Sequence, residues 1–585
     1  MKNNWIKKRL AAGIILLFVG TCIIPSTAQK MEKPSLPISR GHWLYVGGNG
    51  PGNYSTIQDA IDNASDGDTI FVYDDSSPYE GAIIDKAVTL IGENKETTVI
   101  ENEVHVERNN TTVTGFTINF LQAVKVDNLT IINNEFRGFE TGISVNSGTN
   151  VKIINNTLMN QTREGIYIRG SNDIITGNTI IANSSWSTYT GLTMNEVQNT
   201  IVSNNSFISF RDGINKGILI FWSKNNIIKN NSFVKTGIDL LDSDENTFSG
   251  NTVNGKPLIW LEGEANQTVD DAGQVFLVHC NQITVCNLTL IDVPEGITLY
   301  DTNGSNIWNN TLSWCNTGII LDSSNMNTLS QNTLMNCSSG ISLLSISIHT
   351  SPSNMNTLSQ NTLMNCSTGI TISRSSNNTI EKNLIQKSGG SNGFSGSGIC
   401  LSVSDHNIIT GNNISSNFFY GIMLHNCDHN NIVNDTLVNN DYGIALFDSG
   451  HNNIINNAIS NNDYGIELYS DHNSTINNTI SNNDYGIEQG SHHNNIINNN
   501  ISKNRVVGIY IRSSTINTAL KNNFLNNQQD AFFYKSKKNT WKHNYWNRPR
   551  ILPKLIFGTI EKNSKEILWF NIDWCPALRP YDIGG

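Results

Sequence analysis

Glu467 and Glu488 occupy the same place in two copies of Asn-Asn-Asp-Tyr-Gly-Ile-Glu, 21 residues apart. Two carboxylates about 5–5.5 Å apart can serve as acid and nucleophile in retaining glycoside hydrolysis. Stacked repeats would bring this pair close to that separation, since paired strands lie about 4.8 Å apart. Phe447, Tyr469 and Tyr510 stand at neighbouring places and could stack on sugar rings. Arg512 could bind a carboxylate. An ordinary exposed face with scattered charges has the same composition, so glycan binding without turnover stands beside catalysis.

A second set recurs more regularly. His406, His429, His451, His472 and His493 each precede an asparagine. Neighbouring imidazoles could share zinc or copper, with His429, His451 and His472 the first candidates. Histidine also tolerates the left-handed conformation of a sharp corner, and that reading is preferred. Two ligands about 4.8 Å apart are widely spaced for one metal at about 2.0–2.1 Å per bond. No tight metal site and no cofactor are therefore expected. Calcium is an alternative at Asp441, Asp463 and Asp484, and at Asp239, Asp242, Asp244 and Glu245, against solvated corner carboxylates. Cys315, Cys337 and Cys366 each lie three residues before a repeat glycine. They form a column that is either disulfide-capable or, preferably, a run of small buried side chains.

What must position all of these is a repeat. A Gly-Ile landmark recurs down most of the chain at a commonest spacing of about 22 residues. In 443–464 the apolar positions are Ile444, Leu446, Ile454, Ile455 and Ile459. They fall in three runs too short for a helix, separated by Asn, Gly and Ser. β-Branched residues suit a pleated surface, and Asn and Gly suit corners. The fold class predicted is all-β, a single-stranded right-handed parallel β-helix. A leucine-rich repeat is disfavoured because the third side has no helix-forming stretch.

The array is expected over residues 101–531, after an N-terminal cap and first coils at 42–100. Ile57, Ala60, Ile61 and Ala64 have helical spacing, so a short capping helix is predicted there. Two irregularities stand out: an insertion at 251–295, and a duplication within 324–367, where Ser324–Ser338 and Ser353–Ser367 are identical. A loop is expected near 344–352. An aromatic C-terminal cap is expected at 532–585, with basic residues that could grip an acidic polymer or form a solvated face.

Residues 1–28 read as a signal peptide, with Lys2, Lys7, Lys8 and Arg9 before the apolar run Leu10–Ile24, followed by a linker at 29–41. The mature chain is expected to be secreted, at the cell surface or in a periplasm-like envelope space. A membrane enters only if the first segment stays uncleaved as an anchor. Charged residues are 15% of the chain and the net charge is −11, which argues against nucleic acid as the partner. A monomer is expected.

The Tyr54–Ile61 motif, the Gly-Ile-x-Leu coils and the irregular 251–295 segment together resemble the NosD-type proteins, exported β-helix proteins associated with copper and with carbohydrate-binding and sugar-hydrolysis repeats. The resemblance covers nearly the whole mature chain. It implies copper delivery to nitrous oxide reductase, although no Met/His cluster stands in this sequence. The leading expectation is a non-catalytic protein binding a polysaccharide or another cell-envelope component. The alternatives are a carbohydrate-active enzyme using Glu467 and Glu488, and a copper-binding accessory protein.

Overall fold

Asparagine turns this chain. Asn456, Asn461, Asn477, Asn482 and Asn498 all hold the left-handed backbone conformation, and His451 and His472 hold it at the equivalent third corner. Short polar side chains tolerate that conformation by hydrogen-bonding locally. In the computed structural model, which describes residues 41–182, 189–210, 216–243, 245–345, 351–389, 396–562 and 564–583, these corners separate three short strands per turn. The result is a right-handed parallel β-helix. The expected signal peptide, most of the linker, Asp244 and the centre of the 344–352 loop lie outside the described residues.

One coil illustrates the packing. Its strands are Tyr442–Phe447, Asn453–Ile455 and Ala458–Ser460, called faces one, two and three below. Each pairs in parallel with the next coil, as Ile444↔Ile466, Ile454↔Thr475 and Ile459↔Ile480. Ile444, Leu446, Ile454 and Ile459 are fully buried. Ile455 is half-buried, so it belongs to the outer side, because successive strand residues point to opposite faces. The duplicated segments lie on one another in register, with Leu329↔Leu358 and Leu334↔Leu363.

Buried asparagines tie coil to coil. The Oδ1 of Asn478 accepts the Asn457 N–H at 2.8 Å. Its Nδ2 donates to the Ile454 carbonyl at 2.8 Å and to Asn499 Oδ1 at 2.9 Å. Such ladders satisfy the corner amides that a solenoid buries. Another ladder, Asn417, Asn440, Asn462 and Asn483, is continued on the N-terminal side through Ser388 by buried, free Cys366, Cys337 and Cys315.

Both ends are covered. The helix Ile57–Asp62 starts at Thr56, whose Oγ1 accepts the Asp59 N–H, and lays Ile57, Ala60 and Ile61 on the first coil. At the other end, parallel pairing runs past residue 531 to Phe524↔Trp546. The antiparallel pair Lys554–Lys562 and Lys565–Asp573 then returns the chain. This swings buried Asp573 under the last coil, where it accepts from the Asn544 N–H and from Trp546 Nε1 at 2.9 and 3.1 Å.

Candidate functional site

The regular stacking breaks once on face one. Val253 is followed by Asn254 and Gly255, both at positive φ, and the chain reverses so that Val253 pairs antiparallel with Lys256. Asn-Gly is the dipeptide best suited to so tight a reversal. The strand Lys256–Glu262 then founds a second stack, pairing in parallel with Gln274–Val278. The last face-one strand of the first stack, Ile238–Leu241, is not paired to it among the described residues. The side chain of Gln274 takes the ladder's place. Its Oε1 accepts the Ile238 N–H at 3.0 Å, and its Nε2 donates to the carbonyls of Ile238 and Glu295 at 2.6 and 2.8 Å.

Where the stacks part, a cleft of about 70 Å³ opens to solvent, lined by Leu240, Leu241, Trp260, Phe276, Tyr300 and Glu295. Trp260 lies against Phe248 at 4.2 Å between ring centroids. On one wall Lys216 Nζ sits 2.6 Å from Asp239 Oδ2. Asp239 is hydrogen-bonded in turn to the Glu295 carboxyl, whose Oε2 accepts from Thr298 Oγ1 at 3.0 Å. Burial, and then the Asp239 charge, push Glu295 well above the usual carboxylate range. Burial and the Asp239 carboxylate thus favour the protonated form of Glu295, while Lys216 is ion-paired to Asp239. Toward a ligand this wall offers a carboxyl beside aromatic surface.

The sequence-predicted residues lie farther along face one. Ala445, Glu467 and Glu488 are consecutive in register and form the floor of a groove. One wall is Tyr442, Tyr464 and Tyr485, with rings parallel and 4.8–4.9 Å apart. The other is Phe447 and Tyr469, parallel at 6.1 Å. These glutamates point outward, yet only 7% and 5% of their surfaces are exposed, because the tyrosine walls close over them. The expectation of an open outer face thus needs correction at this column. The ring faces are also spent on each other, so the groove presents ring edges and hydroxyls rather than sugar-stacking faces. Tyr510 follows Glu488 in register, and Arg512 Nη1 stands 3.8 Å from Glu488 Oε1. Tyr469 donates to the same oxygen at 3.2 Å. It can do so because residue 490 is glycine, and any Cβ there would overlap its ring.

Burial, followed by the charge of Glu488, pushes Glu467 up to about 7. Burial also raises Glu488, while the Tyr469 hydroxyl and Arg512 pull it back. The groove thus holds a carboxyl that is protonated near neutrality beside a more acidic one.

Of the acidic groups flagged in the sequence, Asp239 serves the junction and Asp242 accepts from Trp222 Nε1 at 3.3 Å. Asp484 pairs with Arg505. Lys216, Trp260 and Glu295 were not singled out in the sequence. The only signals near them were Asn254-Gly255 and the interrupted period.

Residues 258–397 and 388–552, together just over half of the chain, match the family described as periplasmic copper-binding protein (NosD). The chain belongs to the NosD family. Residues 141–272 also match the right-handed β-helix region. No curated protein matches. Among solved structures this NosD-family chain is similar to the catalytic domain of a GH87 alpha-1,3-glucanase, at 13% identity and TM-score 0.30, covering 56% of this chain and 66% of that one. It is also similar to the periplasmic alginate epimerase AlgG, at 10% identity and TM-score 0.26, covering 78% of each chain. The Dettilon tailspike protein is a third, at 13% identity and TM-score 0.28, covering 58% and 66%. At such identities the likeness is one of fold.

The copper in the family's description can be tested on these residues. His406, His429, His451, His472 and His493 stack face to face, 4.9–5.1 Å apart and within 5° of parallel. Their nitrogen lone pairs lie in the ring planes and so run parallel instead of converging on one ion. Asp405, Asp428 and Asp471 turn an Oδ1 to backbone N–H groups of the next coil. Cys337 is pushed up to about 12 by its hydrogen bond with Cys315 and by burial, and so is held as a thiol. Among the described residues no group of three or more His, Cys, Asp or Glu is arranged to hold a metal. Among the described residues of this NosD-family chain these donor sets do not fit copper.

Proposed function

We propose that this protein is exported and binds a polysaccharide along face one, with the junction cleft as the principal subsite. The observation that carries the reading is the cleft itself, where Trp260, Phe276 and Tyr300 stand beside the Asp239–Glu295 pair. Apolar ring faces bordered by a few convergent polar groups are what a sugar ring requires. A glycan array on the full chain tests it. Wild type is expected to retain particular glycans, and Trp260→Ala to weaken them about 30-fold, as loss of a central aromatic anchor does. Binding unchanged by that substitution would remove the cleft from the reading.

One observation favours turnover as a second reading. Glu467, near 7, stands in register with the more acidic Glu488, and pairs of carboxyls with separated pKa values divide acid and base roles. Product release from every array hit, measured against pH, tests this. Activity abolished by Glu467→Gln and by Glu488→Gln would establish an enzyme. Retention without release would leave a binding protein.

A further inference from the structure

The C-terminal hairpin carries apolar side chains that no described residue covers. Ile551 is 92% exposed, Leu568 85% and Trp574 68%, and Leu552, Phe557, Trp569 and Phe570 are also exposed. Cross-strand pairing sorts them. Leu555↔Ile572, Phe557↔Phe570 and Thr559↔Leu568 place Leu555, Phe557, Leu568, Phe570 and Ile572 on one face of the hairpin. The other face is used internally, since Ile556 is buried and Gly558 lies against Phe533. A contiguous uncovered apolar face on an exported solenoid marks a contact surface.

Charge indicates what it contacts. Residues 532–585 hold ten lysines and arginines against four acids, in a chain of net charge −11. Arg548 and Arg550 precede exposed Ile551 and Leu552 and Lys554 follows them, while Lys562 and Lys565 face each other at the hairpin tip with Glu561 and Glu566 paired behind them, next to Ile567 and Leu568. Aromatic and aliphatic side chains mixed with lysine and arginine suit the headgroup boundary of an anionic bilayer. A second copy of the chain would bring two cationic caps together, which like-charge repulsion opposes. A soluble polyanion would neutralise the lysines but leave Leu568 and Ile551 in water. No described helix is long and apolar enough to cross a membrane, so the contact is one of docking.

We propose that this hairpin docks the protein on an anionic lipid surface, with the Leu555–Phe557–Leu568–Phe570 face immersed and the neighbouring lysines and arginines on lipid phosphates. The proposal is independent of the cleft and groove.

Co-sedimentation of the full chain with vesicles of mixed phosphatidylglycerol and phosphatidylcholine, against phosphatidylcholine alone, tests it. Binding is expected to be at least about tenfold stronger on the anionic vesicles and to weaken with salt. Phe557→Ser with Leu568→Ser, both at exposed positions of that face, should lower partitioning about tenfold through lost apolar immersion. Lys562→Glu with Lys565→Glu should lower it about as much and reduce the salt dependence. Quenching of wild-type tryptophan fluorescence by brominated lipid reads insertion without any substitution. Absence of binding and quenching overturns the proposal. So does binding that neither double variant alters. A dimer in sedimentation velocity that Phe557→Ser with Leu568→Ser dissolves would show that a second copy covers the face. Vesicle binding displaced by a soluble polyanion and indifferent to the Leu568 pair would identify a polymer site instead.

Discussion

The junction near residue 255 and the coils from 420 to 510 are built from the same residues and behave differently. In the regular coils like residues align, and alignment uses them up. Tyrosine faces meet tyrosine faces, histidines meet histidines, and each buried asparagine is bonded to the asparagine of the next coil. At the junction unlike residues meet, from paired neighbouring coils and from across the break. Lys216, Asp239 and Glu295 form a mixed acid–base cluster, and a cleft opens beside them because no strand fills it. Repetition makes a scaffold, and its interruption makes the concavity.

The strongest way to break that contrast is to remove the junction's clip. Gln274→Leu should leave three buried backbone groups unpaired, costing about 3 kcal/mol or more. It should also split urea unfolding into two transitions, because the stacks would then share few bonds on face one. A single transition with an unchanged midpoint would show that the stacks are coupled elsewhere.

Asn478→Leu in the regular coils should cost about 3 kcal/mol, yet leave the second stack unfolding as one unit, since each neighbouring coil keeps its other ladders. A split transition here and not at Gln274 would invert the comparison.

The groove predicts a pH effect. Glu467 is raised in the folded state from 4.5 to about 7, so the folded chain binds the proton more tightly than the unfolded one. Its stabilising contribution is complete below about 4.5 and is lost as pH rises through about 7, a fall of about 2–3 kcal/mol. Glu467→Gln stays neutral, so it should flatten thermal stability across that window. A slope retained in the variant would assign the effect to another group.

Smaller effects sharpen the picture. Gly490→Ala should push the Tyr469 ring off Glu488, cost about 1 kcal/mol, and raise the Glu488 pKa further by removing the bond that lowers it. Carboxyl-carbon NMR titration reads the shift. His451→Asn should change stability by less than about 0.5 kcal/mol, because asparagine accepts the same left-handed corner. A larger loss would show that the imidazole stack does more than turn the chain.

The sequence alone determined the β-helix, the capping helix at 57–62, the column of buried cysteines and the register that sets Glu467 beside Glu488. All four follow from periodicity, since parallel stacking brings together residues one period apart. Tertiary structure alone decided that the outward glutamates are closed over by tyrosine walls, because ring orientation depends on packing with neighbours in space. It also decided that histidines one coil apart stack with parallel lone pairs. The cleft was least legible of all. Asn254-Gly255 announces a turn, but Asp239 and Glu295 meet only because the strand Lys256–Glu262 reverses away and Gln274 bridges the gap. No period in the sequence encodes a contact made where the period fails.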